Sequence, residues 1–135
     1  MSLWSVKHLT ISIARPPAEV YAYAVDPRHL PAWASGLAGG IREVDGTWRA
    51  DSPMGEVRVA FALRNALGVL DHDVTLPDGT TVHNPMRVMA NAEGSEVVFT
   101  LFRLPGVTDA QLAADAATVV RDLQTLKHVL ERSPR

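Results

Sequence analysis

His72 and Asn84 are the residues whose types and spacing could do chemistry in this sequence. Between them, Pro77-Asp78-Gly79 is typical of a three-residue hairpin, in which a type I turn ends in a left-handed glycine. This turn pairs His72 with Asn84 on the face that carries the apolar residues of both strands. Imidazole titrates near neutral pH, so His72 could be a general acid or base. The commoner alternative is a neutral buried histidine that is hydrogen-bonded to Asn84 or to water.

Arg103 is a third polar candidate, and its position depends on the following hairpin. If Glu93-Gly94 is a two-residue turn, Asn84 faces Arg103, and Arg103 approaches His72. A guanidinium there could bind a carboxylate or phosphate through two nitrogens. In that register Val88 faces Phe99 and Met86 faces Leu101. Arg103 could equally be a solvated residue at the end of the last strand.

A second register is open for the same hairpin. If Ala92 joins the loop, Thr100 and its neighbours on the same side of the strand face inward instead. We favour the first register because it turns a continuous apolar row inward. This row consists of Val97, Phe99 and Leu101.

Ten apolar residues could line a ligand cavity beside these polar groups. Taken singly, each is more often an ordinary core residue, but together they could surround a bound molecule. They are Trp33, Trp48, Met54, Phe61, Leu70, Met86, Phe99, Leu101, Ala116 and Val120.

The first elements are a strand and two short helices. Alternating Leu9, Ile11 and Ile13 predict a half-buried strand. Prolines then end it, and residues 18–25 give two helical turns. Asp26-Pro27 supplies a cap and a first-turn proline for a second short helix, which ends near Gly36.

Closely spaced turns predict antiparallel strands over residues 41–103. Asp45-Gly46, Pro77-Asp78-Gly79 and Glu93-Gly94 are hairpin signals, and two further turns begin near Ser52 and Asn65. Strands joined this tightly cannot be parallel, because a parallel neighbour needs a long crossover. The prediction is a six-stranded meander, with the first strand free to join at an edge.

The last segment predicts one long helix. Thr108 and Gln111 fit a capping box, and Pro134 should end the helix. A single helix of this length buries its apolar stripe when a curved sheet wraps around it. A cavity is expected where Ala113, Ala116 and Ala117 face the sheet. The stripe consists of Leu112, Ala116, Val119, Leu123, Leu126 and Leu130.

Composition excludes several classes of function. The 135 residues include 13 basic and 15 acidic side chains, giving a net charge of −2, which disfavours a nucleic-acid surface. Without cysteine there is no disulfide and no thiolate. Neither a membrane span nor a signal peptide is evident, so we expect a cytoplasmic protein. We expect no cofactor. We also expect no metal, because neighbouring residues of Asp71-His72-Asp73 point to opposite faces of a strand and cannot converge on one ion.

The order of these elements resembles the helix-grip fold of the START-like superfamily, which includes polyketide cyclase/dehydrase proteins and relatives of the birch-pollen allergen. The stretch from Ile11 to Trp33 carries the resemblance, through its strand, its Pro-Ala-Glu-Val helix entry and its Asp-Pro break. The resemblance implies an α+β fold, with a curved antiparallel sheet of about seven strands wrapped around the C-terminal helix. It covers residues 1–135 as one domain, and it implies a deep apolar pocket for lipids, polyketides or other hydrophobic molecules.

Three functions fit these observations. The first is binding of a small hydrophobic molecule, with His72, Asn84 and Arg103 orienting its polar end. The second is a polyketide cyclase or dehydratase in which His72 moves a proton. The third is a protein-interaction module with a filled core, although charges on the outer face disfavour it. A homodimer through the sheet or an edge strand is compatible with each.

Overall fold

Strands and helices follow one another in the order that the turn signals predicted. The computed structural model describes residues 1–132. Its helices are α1 (Pro17–Ala24), α2 (Leu30–Trp33) and α3 (Asp109–Arg132), with short 3₁₀ turns at Pro27–His29 and Ser35–Leu37. Its strands are β1 (Val6–Ile13), β2 (Ile41–Val44), β3 (Thr47–Ser52), β4 (Gly55–Phe61), β5 (His72–Thr75), β6 (Thr81–Asn84), β7 (Met86–Asn91) and β8 (Gly94–Phe102).

These strands form two antiparallel sheets, where a single curved sheet was expected. Their orders are β2-β3-β4-β5-β6 and β1-β8-β7. The sheets join where the Leu70 amide donates a hydrogen bond to the Met86 carbonyl at 2.8 Å. Residues 1–132 contain eight strands, where about seven were expected, because Pro85 has no N–H for the ladder and divides the predicted sixth strand in two. The predicted α+β class is confirmed.

The β5–β6 hairpin has the predicted register. His72 lies opposite Asn84, and Val74 lies opposite Val82. The turn closes where the Leu76 amide donates to the Thr80 carbonyl at 2.8 Å.

The β7–β8 hairpin has neither predicted register. Asn91 pairs with Gly94, so Ala92 and Glu93 form the turn, and Ala92 has a φ of 52°. Met86 therefore faces Phe99, two residues away from the favoured pairing with Leu101. Gly94 is the first residue of β8, and a Cβ there would lie 2.8 Å from the Ile13 carbonyl oxygen. The glycine therefore permits close approach to β1 and does not form the turn.

Helix α3 begins at the predicted capping box and presents the predicted stripe. The Thr108 amide donates to Gln111 Oε1 at 2.9 Å, and the Gln111 amide donates to Thr108 Oγ1 at 3.1 Å. Every stripe residue is buried except Val119, which is half-buried. Ala113 and Ala117 were expected to face the sheet, but both are exposed, since they fall outside the narrow buried arc of the helix. Pro134 lies outside the described residues.

Polar contacts fasten the end of α3 to β1. Lys127 Nζ donates to the Ser12 carbonyl at 2.7 Å, and the Ala14 amide donates to Glu131 Oε2 at 2.7 Å. No helix within residues 1–132 is long and apolar enough to cross a membrane.

Candidate functional site

A cavity of about 210 Å³ lies between the sheet, α2 with the turn that follows it, and the middle of α3. Strand residues form its floor, and the side chains of α3 form the opposite wall. Its walls are mainly apolar, with His72 and Asp122 as the titratable groups. The sheet contributes Val59, Val74 and Phe99, and the helices contribute Leu30, Trp33, Val119 and Leu123.

His72 presents a defined polar atom to this cavity. Its Nδ1 lies 3.0 Å from the Leu70 carbonyl oxygen, which can only accept, so Nδ1 carries the proton. Its ring centroid lies 5.0 Å from that of Phe61 and 6.1 Å from that of Phe99. Burial lowers the pKa of His72 below its ordinary value of 6.5, against the opposing effects of the Leu70 hydrogen bond and the Asp71 charge. The imidazole is therefore neutral at pH 7, and no group within residues 1–132 bonds to Nε2.

The lowered pKa makes stability depend on pH. Because the pKa of His72 is lower in the folded than in the unfolded chain, the unfolded chain takes up the proton more readily. The contribution of His72 to stability is therefore fully present above pH 6.5 and is lost as the pH falls below 6.5. We expect His72→Phe to reduce the slope of unfolding free energy against pH by up to about 1.4 kcal/mol per pH unit in that window. Urea unfolding at several pH values measures this slope.

A matched variant keeps this prediction testable. His128→Gln removes an exposed histidine from α3 and should leave the slope unchanged. Equal slopes for wild type and His72→Phe would contradict the depressed pKa.

Asp122 is a polar cavity residue that the sequence analysis missed. Its Oδ1 accepts a hydrogen bond from the Ser35 amide at 3.1 Å, which holds the turn at Ser35–Leu37 against α3. Burial raises the pKa of the Asp122 carboxyl, while the Ser35 hydrogen bond opposes this rise. In the sequence, Asp122 stands next to Arg121 and resembles a solvated helix residue. Its place between the stripe residues Val119 and Leu123 is the signal that could have identified it.

Trp33 lines the cavity with its ring, while its indole N–H is an unsatisfied donor buried behind the cavity surface. Its side chain is 6% exposed, and its buried Nε1 has no hydrogen-bond partner within the described residues. A buried indole N–H usually finds an acceptor, so this orphaned donor requires an explanation.

The other two polar candidates lie apart from this arrangement. Asn84 lies opposite His72 and is half-buried, but it makes no hydrogen bond to the imidazole and does not line the cavity. Arg103 follows the end of β8, where its Nε donates to the Val107 carbonyl at 3.0 Å and its Nη1 lies 2.5 Å from Asp109 Oδ1. The expected approach of Arg103 to His72 does not occur, because the register places Met86 opposite Phe99.

The apolar candidates occupy three kinds of environment. Trp33 and Phe99 line the cavity, and Phe61 packs beside the His72 ring. Met54 and Val120 do not line it, since they are 66% and 39% exposed. The remaining candidates are buried or half-buried elsewhere: Trp48, Leu70, Met86, Leu101 and Ala116. No cluster of three His, Asp or Glu side chains within residues 1–132 could hold a metal ion.

Three solved structures illustrate what this fold is similar to. DynU16, a protein of the dynemicin biosynthetic locus, matches with a TM-score of 0.71 and 17% identity over 94% of this chain. This chain spans about half of DynU16, 47% of its length. Ara h 8.0201 matches with a TM-score of 0.71 and 14% identity over 96% of this chain and 99% of its own. The Aha1 dimer from Colwellia psychrerythraea matches with a TM-score of 0.72 and 18% identity, over 95% of this chain and 97% of its own.

Sequence comparison identifies no family, since neither a protein-family model nor a curated protein matches the chain. The structural matches at these low identities show the fold alone. Both the element order and the solved neighbours agree with the resemblance carried by the opening stretch from Ile11 to Trp33. The chain therefore has the helix-grip fold that this stretch predicted.

Proposed function

We propose that this protein binds a compact, mostly apolar molecule in the cavity between the sheet and α3. The observation that carries the proposal is the neutral His72, whose Nδ1 is held by Leu70 while Nε2 has no partner within the described residues. An apolar pocket with a few convergent polar groups is the usual form of a small-molecule site. A ligand hydroxyl or N–H would donate to Nε2.

The cavity volume limits the size of the ligand. Pockets for drug-sized ligands commonly have volumes of about 300–1,000 Å³. At about 210 Å³, this cavity suits a one-ring or two-ring molecule better than a sterol or a long acyl chain. Among lipids, polyketides and aromatic metabolites, a small aromatic compound with one polar group is therefore the favoured class.

Binding of two matched compounds to the His72→Phe variant tests the proposal. 2-Naphthol carries the hydroxyl that Nε2 should accept, whereas naphthalene has the same rings without it. The substitution keeps an aromatic ring beside Phe61 but removes the acceptor. We expect about a tenfold loss of affinity for 2-naphthol, as for one lost hydrogen bond, and little change for naphthalene.

Isothermal titration calorimetry can measure all four affinities. His128→Gln, on the exposed face of α3, should bind both compounds as wild type does. Equal losses of affinity for the two compounds, or no loss for either, would contradict a hydrogen bond between the ligand hydroxyl and His72 Nε2.

A second candidate is an enzyme that uses His72 as a general base. The neutral His72 imidazole in a mainly apolar cavity favours this candidate, since its Nε2 could take a proton from a bound substrate. In that case His72→Phe should lower turnover by about 10²–10⁴-fold while substrate still binds. Binding without turnover by the wild type would favour the first candidate.

The proposal also extends to location and assembly. A chain without cysteine suits the cytoplasm. The Aha1 neighbour is a dimer, and a homodimer of this chain is compatible with the proposed cavity, which lies inside one protomer. An interaction module with a filled core is the third candidate, and the cavity of about 210 Å³ disfavours it.

A further inference from the structure

Three arginines lie side by side on the face of the sheet that points away from the cavity. Arg42 lies directly opposite Arg49 on the neighbouring strand, and Arg49 lies directly opposite Arg58. Val57 and Val59, which flank Arg58 on β4, are buried, so alternation turns the arginine outward. Like charges directly opposite one another destabilise an antiparallel pair, so this row carries an electrostatic cost.

Acidic partners neutralise only part of this row. Glu56 pairs with both Arg42 and Arg49, the latter at 2.9 Å, and Asp51 lies 3.4 Å from Arg42. Arg58 has no hydrogen bond or ion pair within residues 1–132, and the buried Nε of Arg49 also lacks a partner there. The row therefore ends in a guanidinium that forms no ion pair within the described residues.

Arg49 and Arg58 line a depression of about 370 Å³. The turn between β3 and β4 bounds one side, and the turn between β5 and β6 bounds the other. The two turns come close together, since a Cβ on Gly55 would lie 3.2 Å from a side-chain carbon of Pro77. With Glu56 also in the lining, the titratable side chains of this depression carry a net charge of +1.

We propose that this depression binds the phosphate group of a small phosphate monoester between Arg49 and Arg58. Guanidinium groups bind phosphate oxygens through two parallel hydrogen bonds, and neighbouring arginines suit such a dianion. The anion would also remove the repulsion between the two side chains. Met54, 66% exposed at the rim, offers an apolar surface to the organic part of the ligand. The site lies on the opposite face from His72 and is independent of the cavity proposal.

Thermal unfolding with phenyl phosphate as the probe tests this site. Binding to the folded state raises the melting temperature saturably, whereas ionic screening acts equally with any salt. We expect phenyl phosphate to raise the melting temperature more than sodium chloride does at equal ionic strength. Arg58→Gln should abolish this difference, while Arg64→Gln, which removes an exposed arginine outside the depression, should retain it.

The variant remains interpretable because Arg58 is exposed and makes no contact that folding needs. Without ligand, Arg58→Gln should be at least as stable as wild type, since it removes a like-charge contact with Arg49. A shift no larger than that of sodium chloride would overturn the proposal, and so would a full shift in Arg58→Gln. Vesicles containing phosphatidic acid present the same group on a membrane. Sedimentation with these vesicles, without any response to phenyl phosphate, would overturn the assignment to a small molecule.

Discussion

Leu123→Ala is expected to lower the free energy of unfolding by about 2–5 kcal/mol and to widen the range of ligands that bind. Leu123 is 2% exposed and lines the cavity from α3. Truncating it removes buried methyl groups and adds their volume to the space between helix and sheet. A three-ring phenol should then bind more tightly than it does to the wild type, whose cavity has a volume of about 210 Å³.

Leu126→Ala is the matched control for this prediction. Leu126 is fully buried on the same helix but does not line the cavity. Its truncation should cost a similar free energy, about 2–5 kcal/mol, without tightening the binding of the larger phenol. Urea unfolding gives the stabilities, and calorimetry gives the affinities for 2-naphthol and 2-hydroxyanthracene. If Leu123→Ala and Leu126→Ala bound the two phenols with the same affinities, the result would contradict the claim that this cavity limits the size of the ligand.

Gly68→Ala is expected to destabilise the protein by about 3 kcal/mol or more, because two separate costs act at this position. Gly68 has a φ of 74°, and a Cβ there would lie 2.1 Å from the Val88 carbonyl oxygen. The Gly68 carbonyl also accepts a hydrogen bond from the Val88 amide at 2.9 Å, where the chain passes from β4 to β5. Any displacement of this loop disturbs the strand that carries His72.

Gly79→Ala separates the cost of backbone strain at a positive φ from the cost of a steric clash. Gly79 has a φ of 90°, but a Cβ there meets nothing within 4 Å, so only the backbone strain remains. We expect a loss of about 1–2 kcal/mol for Gly79→Ala, clearly smaller than the loss for Gly68→Ala. Equal losses in urea unfolding would show that the contact with Val88 relaxes at little cost.

Local signals in the sequence predicted much of the fold. The turn at Pro77-Asp78-Gly79 determined the pairing of His72 with Asn84, because a three-residue turn leaves one register with both apolar faces on the same side. The capping box at Thr108 and Gln111 marked the start of α3 in the same way. In each case the determining interaction joins residues close together in the chain.

The composition of the cavity could not be predicted so well, because it depends on contacts between distant segments. Gly94 looked like a turn residue, but its role is set by the carbonyl of Ile13 on another strand. The hairpin pairs Asn91 with Gly94, and Arg103 pairs with Asp109 at the start of α3. Asp122 became a cavity residue because the Ser35 turn folds over the helix. The sequence pattern of α3 alone gives no sign of that turn.

The tryptophan indole N–H signals in a ¹⁵N-labelled sample test the central claim most directly. The chain has three tryptophans, Trp4, Trp33 and Trp48, and Trp33→Phe would assign the signal of the cavity residue. During titration with 2-naphthol, the Trp33 signal should shift and saturate, because the Trp33 ring lines the cavity that the ligand enters. The same titration of Val119→Phe, which fills the cavity, should leave that signal in place. A titration in which the Trp33 signal stays fixed, or moves equally in Val119→Phe, would contradict ligand binding in this cavity.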